Sequence, residues 1–267
     1  MAEHNNLYQH VAYYDLIFER DVSREVDFVI AAYRHYAGRE PQATLEVACG
    51  PGYHTRAFAR CGLRAIGLDL NGAMIALARR KDTAEGVHAT WIEADMRHIQ
   101  LNEPVDVAFC MFDGLDGLLS NKDLVQHLRA IAASLTDRGL YIVDLTHPRE
   151  CSFWHYTPFY YAGQRDGISV EIQWATNKPR YDLVTSVAHV ELEMRVNEHG
   201  QEWVVHDSAK ERLLLPQEIS LLAELSGSLQ VAGWYGDFDL NQPLDDSPAS
   251  RRMIAILQKK TGENKNV

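Results

Sequence analysis

Between residues 43 and 145 the chain repeats one rhythm, a short apolar run, a turn and then a helix-forming stretch. The apolar runs are "ATLEVA" (43–48), "RAIGLDL" (64–70), "VHATWIEAD" (87–95), "VDVAFCMF" (105–112) and "GLYIVDL" (139–145). "YHTRAFARC" (53–61) reads as a helix that Gly62 can cap, and Asn71 is a suitable N-cap for "GAMIALARRK". "NKDLVQHLRAIAASL" (121–135) places Leu124, Leu128, Ile131 and Leu135 on one helical face. Short strands alternating with helices predict a parallel sheet of strand–helix–strand units. Its strands are covered on both faces, so they read as unbroken apolar runs.

The flanks break the rhythm. "YYDLIFERDVSREVDFVIAAYRHYA" spaces Phe18, Val22, Val26, Val29, Ile30 and Tyr33 for helices. After residue 150, "GISVEIQWAT" (167–176), "YDLVTSVAHVELEMRV" (181–196) and "EWVVHDSAKERLLL" (202–215) alternate apolar and polar residues, which predicts an antiparallel meander. Pro216 opens a further helix over 217–227, which Gly227 ends, and 229–238 and 250–260 read as two closing strands. The tail "TGENKNV" reads as frayed. Three parts are expected: an N-terminal helical cover (1–40), an α/β body (41–150 and 215–260) and a β-rich insertion (151–214).

Composition limits the partners. Lys and Arg total 26 against 37 Asp and Glu, a formal charge of −11, which repels phosphate backbones and argues against nucleic acid. No apolar stretch approaches the ~20 residues of a membrane span, and no apolar signal core follows the first methionine, so the expected compartment is the cytoplasm. The four cysteines form no Cys-x-x-Cys pair, and three lie in or after apolar runs, which suits buried thiols.

The turn after the first strand, "LEVACGPGYHT" (45–55), carries the chemical signal. A phosphate-binding P-loop requires a lysine that is absent. A dinucleotide fingerprint fits at Gly50 and Gly52, but Thr55 stands where a third glycine belongs. Asp69, 19 residues beyond Gly50, ends the second strand, where an acid can bind both hydroxyls of a ribose. That feature suits NAD and any other adenosine ligand alike.

The ordered set "LEVACGPG", "GLDLN", "EADMR" and the fourth-strand end "DVAFCMF" resembles the class I S-adenosylmethionine-dependent methyltransferases. The closing "YGDFDLNQPLDDSPASRRMIAILQKK" resembles the last two strands of their small-molecule members, so the likeness spans nearly the whole chain. The resemblance implies a seven-stranded, mostly parallel Rossmann-like sheet with helices on both faces and an antiparallel lid inserted after the fifth strand. It implies that Gly50 and Gly52, with Ala48, bring backbone to the methionine part of the cofactor, and that Glu46 steadies this loop. Asp69 is expected on the ribose hydroxyls, Leu70 on the adenine face and Asp95 on the adenine amine beside Met96. Cys110 and Met111 are expected along the cofactor's other side, and Tyr13 or Tyr14 of "YYDLIF" as a closing lid, though that stripe also suits a helix merely packed on the sheet. His54 and Thr55 are left without a role.

The inserted meander resembles the lid of N-methyltransferases that act on amino sugars, glycine and other small amines, so an amine nitrogen is the expected acceptor. Oxygen or carbon acceptors follow closely. A nicotinamide-dependent oxidoreductase and a non-catalytic cofactor-binding protein are the remaining readings. His147, after the fifth strand, is the expected general base, and Asp113 the expected contact to substrate or its proton, each weighed against a plain turn residue. The loop aromatics Trp154, Phe159, Tyr160, Tyr161 and Trp174 are pocket walls or core. His147, Glu150, Cys151 and His155 match no standard zinc spacing, and no metal is expected. The protein is expected to be a monomer or a homodimer.

Overall fold

The computed structural model describes residues 7–261; the N-terminal six residues and most of the tail read as frayed lie outside the described residues. A short 3-10 turn (Leu7–Gln9) precedes helices α1 (Val11–Phe18) and α2 (Ser23–Ala37). The α/β body then runs β1 (Ala43–Val47), α3 (Tyr53–Arg60), β2 (Arg64–Asp69), α4 (Gly72–Glu85), β3 (Thr90–Glu93), β4 (Val105–Cys110), α5 (Asn121–Ser134) and β5 (Leu135–Thr146). A two-residue-per-strand hairpin, β6 (Cys151–Ser152) and β7 (His155–Tyr156), leads into β8 (Phe159–Arg165), β9 (Ile168–Trp174), β10 (Val187–Glu198) and β11 (Gln201–Arg212). Helix α6 (Pro216–Ser226), β12 (Leu229–Tyr235) and β13 (Arg252–Lys259) close the chain.

The main sheet has seven strands in the order β12-β13-β5-β4-β1-β2-β3, and only β13 runs against its neighbours. This is the seven-stranded, mostly parallel Rossmann-like sheet that the resemblance implies. Two cores explain its unbroken apolar strands. Ala108, Cys110, Tyr141 and Val143 face α5 and α6, while the alternate residues Val107, Phe109, Leu140 and Ile142 face α2 and α3. The turns follow local chemistry: Asn71 Oδ1 accepts the Ala73 amide at 2.9 Å at the start of α4, and Gly227 ends α6 in the left-handed region.

The chain runs outward through β1, β2 and β3, then returns to the other side of β1 with β4. This places the topological switch point at the β1 and β4 carboxyl ends, where open α/β sheets bind ligands. Over that edge lies a second, four-stranded antiparallel sheet, β11-β10-β9-β8. Strand β8 is one more than the sequence predicts, because its polar and aromatic residues alternate without a clear apolar face. Strand β3 is shorter than the run 87–95 and β5 longer than 139–145. Helix α1 packs against β8 so closely that a Cβ on Gly163 would sit 2.9 Å from the Leu16 carbonyl oxygen.

Candidate active site

A cavity of about 690 Å³ opens between the β1 and β4 ends, α1 and the antiparallel sheet. Its floor is the glycine turn. Gly50 takes φ +51°, and a Cβ there would project into open space. Gly52 takes φ +73°, and a Cβ would lie 2.2 Å from the Trp91 ring, so this position admits glycine alone. Ala48 is a non-glycine residue at positive φ (54°), in the bend that leaves β1. Glu46 anchors the turn from below. Its Oε2 accepts the Thr55 amide at 2.9 Å, and its Oε1 meets His54 Nδ1 at 3.0 Å. His54 and Thr55, left without a role by the sequence, are therefore the groups that hold Glu46 at the start of α3. The outer ring nitrogen of His54 has no partner among the described residues, and His54 lines the cavity.

The adenosine end is partly as the sequence predicts. Asp69 lines the cavity, its Oδ2 accepting the Gly50 amide and its Oδ1 the Asn71 amide, both at 2.8 Å. Burial raises its pKa, against those backbone donors, which lower it. Leu70 lines the cavity with its side chain largely exposed, an apolar surface ready for a flat ring. Asp95 and Met96 do not line the cavity. Asp95 is turned to Arg97, whose Nε lies 3.0 Å from both its carboxylate oxygens, and Met96 packs against the core. Glu93, which ends β3, faces the cavity instead.

Among the residues expected at the fourth-strand end, Met111 lines the cavity. Cys110 does not: it is fully buried, one residue inside β4, where strand alternation turns it into the core on the opposite face. Tyr14 lines the cavity, but Tyr13 points away and donates to Glu198 at 3.2 Å. The Tyr14 ring lies tilted against Phe18 and Tyr8, with ring centres 4.4 Å and 5.5 Å away. Helix α1 is fastened at both sides. Asp15 accepts from Tyr53 at 3.0 Å and pairs with Lys81 at 2.7 Å, while Glu19 pairs with Arg165 of β8 at 3.1 Å.

His147 does not face the cavity, which corrects the expectation of a general base. Its Nδ1 accepts the Arg149 amide at 3.1 Å, so its Nε2 carries the proton and donates to the Asp245 carbonyl at 3.0 Å. Both ring nitrogens are used to tie the turn after β5 to the segment before β13. Asp113 lines the cavity, but its carboxylate is already engaged. It accepts the Thr146 amide and, at 3.0 Å, the Thr146 hydroxyl, and Arg252 sits 3.1 Å away. It is a brace between the β4 and β5 loops, not a free base.

The acceptor end contains residues that the sequence did not single out. Glu211 on β11 is buried, accepting from Trp174 Nε1 at 2.7 Å and from the Tyr156 hydroxyl. Asp116 lines the cavity, and its carboxyl has no hydrogen-bond partner among the described residues. Burial raises the pKa of both carboxyls, and neighbouring carboxylates add to it. Tyr156 and Tyr181 stack 5.7 Å apart beside them. Phe159, Tyr161 and Trp174 line the chamber, whereas Trp154 and Tyr160 face solvent. Burial raises the phenols of Tyr8, Tyr14, Tyr156 and Tyr161, the last to about 12, so these stay protonated at neutral pH. Two signals in the sequence pointed here. Asp116 is the second acid of "FDGLDG", and Glu211 falls on the inward register of β11 with Trp203, Val205 and Ala209.

The residues present fit S-adenosylmethionine at the floor: a glycine turn with open space above it, an acid at the ribose position and an exposed leucine beside it. Comparison with known proteins agrees. Residues 44–139 match the family described as a methyltransferase domain. A dTDP-3-amino-3,6-dideoxy-α-D-glucopyranose N,N-dimethyltransferase from Streptomyces fradiae is 30% identical over 134 residues, covering 49% of this chain and 51% of that one. A dTDP-4-amino-2,3,4,6-tetradeoxy-D-glucose N,N-dimethyltransferase from Saccharopolyspora spinosa is 30% identical over 148 residues, covering 54% and 57%. The chain thus spans about half the length of the curated relatives it matches. An S-adenosylmethionine-dependent methyltransferase from Clostridium acetobutylicum shares the fold over 95% of this chain and 98% of its own, with TM-score 0.76 at 17% identity. An amino pentose methyltransferase from Micromonospora echinaspora, solved with S-adenosylmethionine bound, gives TM-score 0.70 at 18% identity over 95% and 97%. Residues 44–139 thus match the methyltransferase-domain family, and the chain shares the fold of a solved S-adenosylmethionine-dependent methyltransferase over nearly its whole length.

Proposed function

We propose that the protein transfers the methyl group of S-adenosylmethionine to an amine nitrogen of a small molecule. The observation that carries this reading is that one cavity joins Asp69 and the glycine turn to a chamber holding Asp116 and Glu211. The relatives that methylate amino sugars support the choice of nitrogen.

When bound, the cofactor supplies an already activated sulfonium methyl, so the protein's task is positioning. Asp69 would hold the ribose hydroxyls and Leu70 the adenine face. Gly50 and Gly52 would admit the methionine part, and Tyr14 with Phe18 would cover it. The antiparallel sheet over 151–214 is the acceptor lid, and residues 1–40 the N-terminal cover. An amine attacks through its lone pair and must lose its proton. With the phenols neutral and His147 outside the cavity, Asp116 and Glu211 are the groups that accept it. The same reading makes the protein a cytoplasmic enzyme, a monomer or a homodimer, with a small-molecule acceptor and no nucleic-acid or membrane partner. No helix among the described residues is long and apolar enough to cross a membrane.

The test is titration with S-adenosylmethionine, S-adenosylhomocysteine and NADH, followed by methyl transfer to small amines read by mass spectrometry. Tight binding of NADH without S-adenosylmethionine binding would return the chain to the oxidoreductase reading. Methylation of phenols or carbon acids, with amines untouched, would move the acceptor to oxygen or carbon.

A further inference from the structure

Four basic side chains line the cavity wall. Arg252 is bound between Asp113 and Asp144 (2.7 Å to the latter), and Arg212 between Glu218 and Asn121 (2.5 Å to the latter), with its buried Nε alone left without a partner among the described residues. Arg20, at the far end of the cavity on the loop after α1, is paired with Glu25. Lys210 reaches the wall from the exposed register of β11. The carboxyls of Asp116 and Glu211 are different: neither has an ion-pair partner among the described residues, and Asp116 has no hydrogen-bond donor there either. Glu211 is held only by neutral donors, the Trp174 indole and the Tyr156 hydroxyl. Tyr156, Tyr161, Trp174 and Tyr181 line the cavity with them.

Buried acids without a cation are costly, and so is an anion placed beside them. Aromatic faces around them favour an organic ammonium through their negative quadrupoles. The whole cavity of about 690 Å³, moreover, has to hold the cofactor as well as the acceptor.

We infer that the acceptor chamber selects a compact cationic amine carrying no phosphate, held by Asp116 and Glu211 within the Tyr156–Tyr161–Trp174–Tyr181 walls. The chamber is thus set against the thymidine diphosphate part that the names of the curated relatives' substrates contain. This rests on the methyltransferase reading. The amine arrives as the ammonium, passes its proton to a carboxylate, and attacks as the neutral base. The methylated product emerges already as the ammonium, and once the carboxyl has released its proton to solvent the chamber can hold that product for a second round.

The experiment is calorimetry on the full chain saturated with S-adenosylhomocysteine, titrated separately with N-methylethanolamine and with thymidine diphosphate. The ammonium probe is expected to bind at least tenfold more tightly than the diphosphate. Its affinity is expected to fall at least tenfold in Asp116→Asn and in Glu211→Gln, with thermal melting as the control for folding. Tighter binding of thymidine diphosphate, no binding of the ammonium probe, or unchanged ammonium affinity in both folded variants overturns the inference. If neither variant folds, the comparison of the two probes on the wild-type chain decides alone. Failure of S-adenosylhomocysteine to bind would instead strike the methyltransferase reading itself, so the two failures are separable.

Discussion

The carboxylate of Asp69 accepts the backbone amide of Gly50 at 2.8 Å, joining the end of β2 to the glycine turn after β1. One side chain therefore shapes the turn and faces the cavity. Replacing it with alanine releases Gly50 and would remove the charge-assisted contact proposed for the ribose. Asp69→Ala is expected to lose roughly 1.5–3 kcal/mol of S-adenosylmethionine affinity. Calorimetry on the folded variant checks this; unchanged affinity would remove Asp69 from the ribose site.

The two glycines of the turn are expected to fail in different ways. Gly52→Ala drives a Cβ into the Trp91 ring at a positive φ, so it should destabilise the fold by roughly 1–3 kcal/mol. Gly50→Ala meets nothing in the protein, and its methyl would occupy space over the turn. Its melting temperature should fall less than that of Gly52→Ala, while its cofactor affinity falls more. Thermal melts and titrations on the pair separate the two effects, and equal losses in both readouts would contradict the geometry.

His147 serves the turn between β5 and the segment before β13. His147→Ala should therefore retain most of its methyl-transfer rate while losing about 1–2 kcal/mol of stability from two broken hydrogen bonds. Urea denaturation measures the second quantity. Abolished turnover in a variant of normal stability would restore the histidine to the reaction.

His127 of α5 is wholly enclosed, its ring nitrogens meeting the Met96 carbonyl at 2.9 Å and the Tyr141 hydroxyl at 2.7 Å. Burial lowers its pKa from the ordinary 6.5 to about 4. The unfolded chain thus binds the proton first as pH falls, and stability drops between pH 6.5 and 4, by about 3 kcal/mol from this group. Above pH 6.5 its contribution is constant. Denaturation midpoints across this window should fall less steeply in His127→Gln than in the wild type.

The α/β body could be read from the sequence because its determinants are local. A strand buried on both faces must be apolar throughout, as in "VDVAFC", and a helix start needs a cap, as Asn71 provides. Gly50, Gly52, Asp69 and Leu70 were found for the same reason: they sit at fixed offsets around one strand–turn–helix unit, and Gly50, Asp69 and Leu70 line the cavity while Gly52 packs on Trp91. Strand β8 escaped because its alternation serves packing against α1, a partner over 140 residues away in the chain, as the Glu19–Arg165 pair shows.

The sequence by itself determined the parallel body, the antiparallel insertion and the turn that brings Gly50, Asp69 and Leu70 to the cavity. Only the tertiary structure decided which polar groups are free to act. Asp95, Asp113 and His147 looked available as residue types, but Arg97, Thr146 with Arg252, and Asp245 with Arg149 occupy them. Asp116 and Glu211 looked ordinary, yet folding brings them together in one chamber across about 95 residues of chain, and neither has an ion-pair partner among the described residues. A side chain's reactivity depends on its partners, its burial and the charges beside it. These are set by contacts between distant segments, which local spacing does not encode.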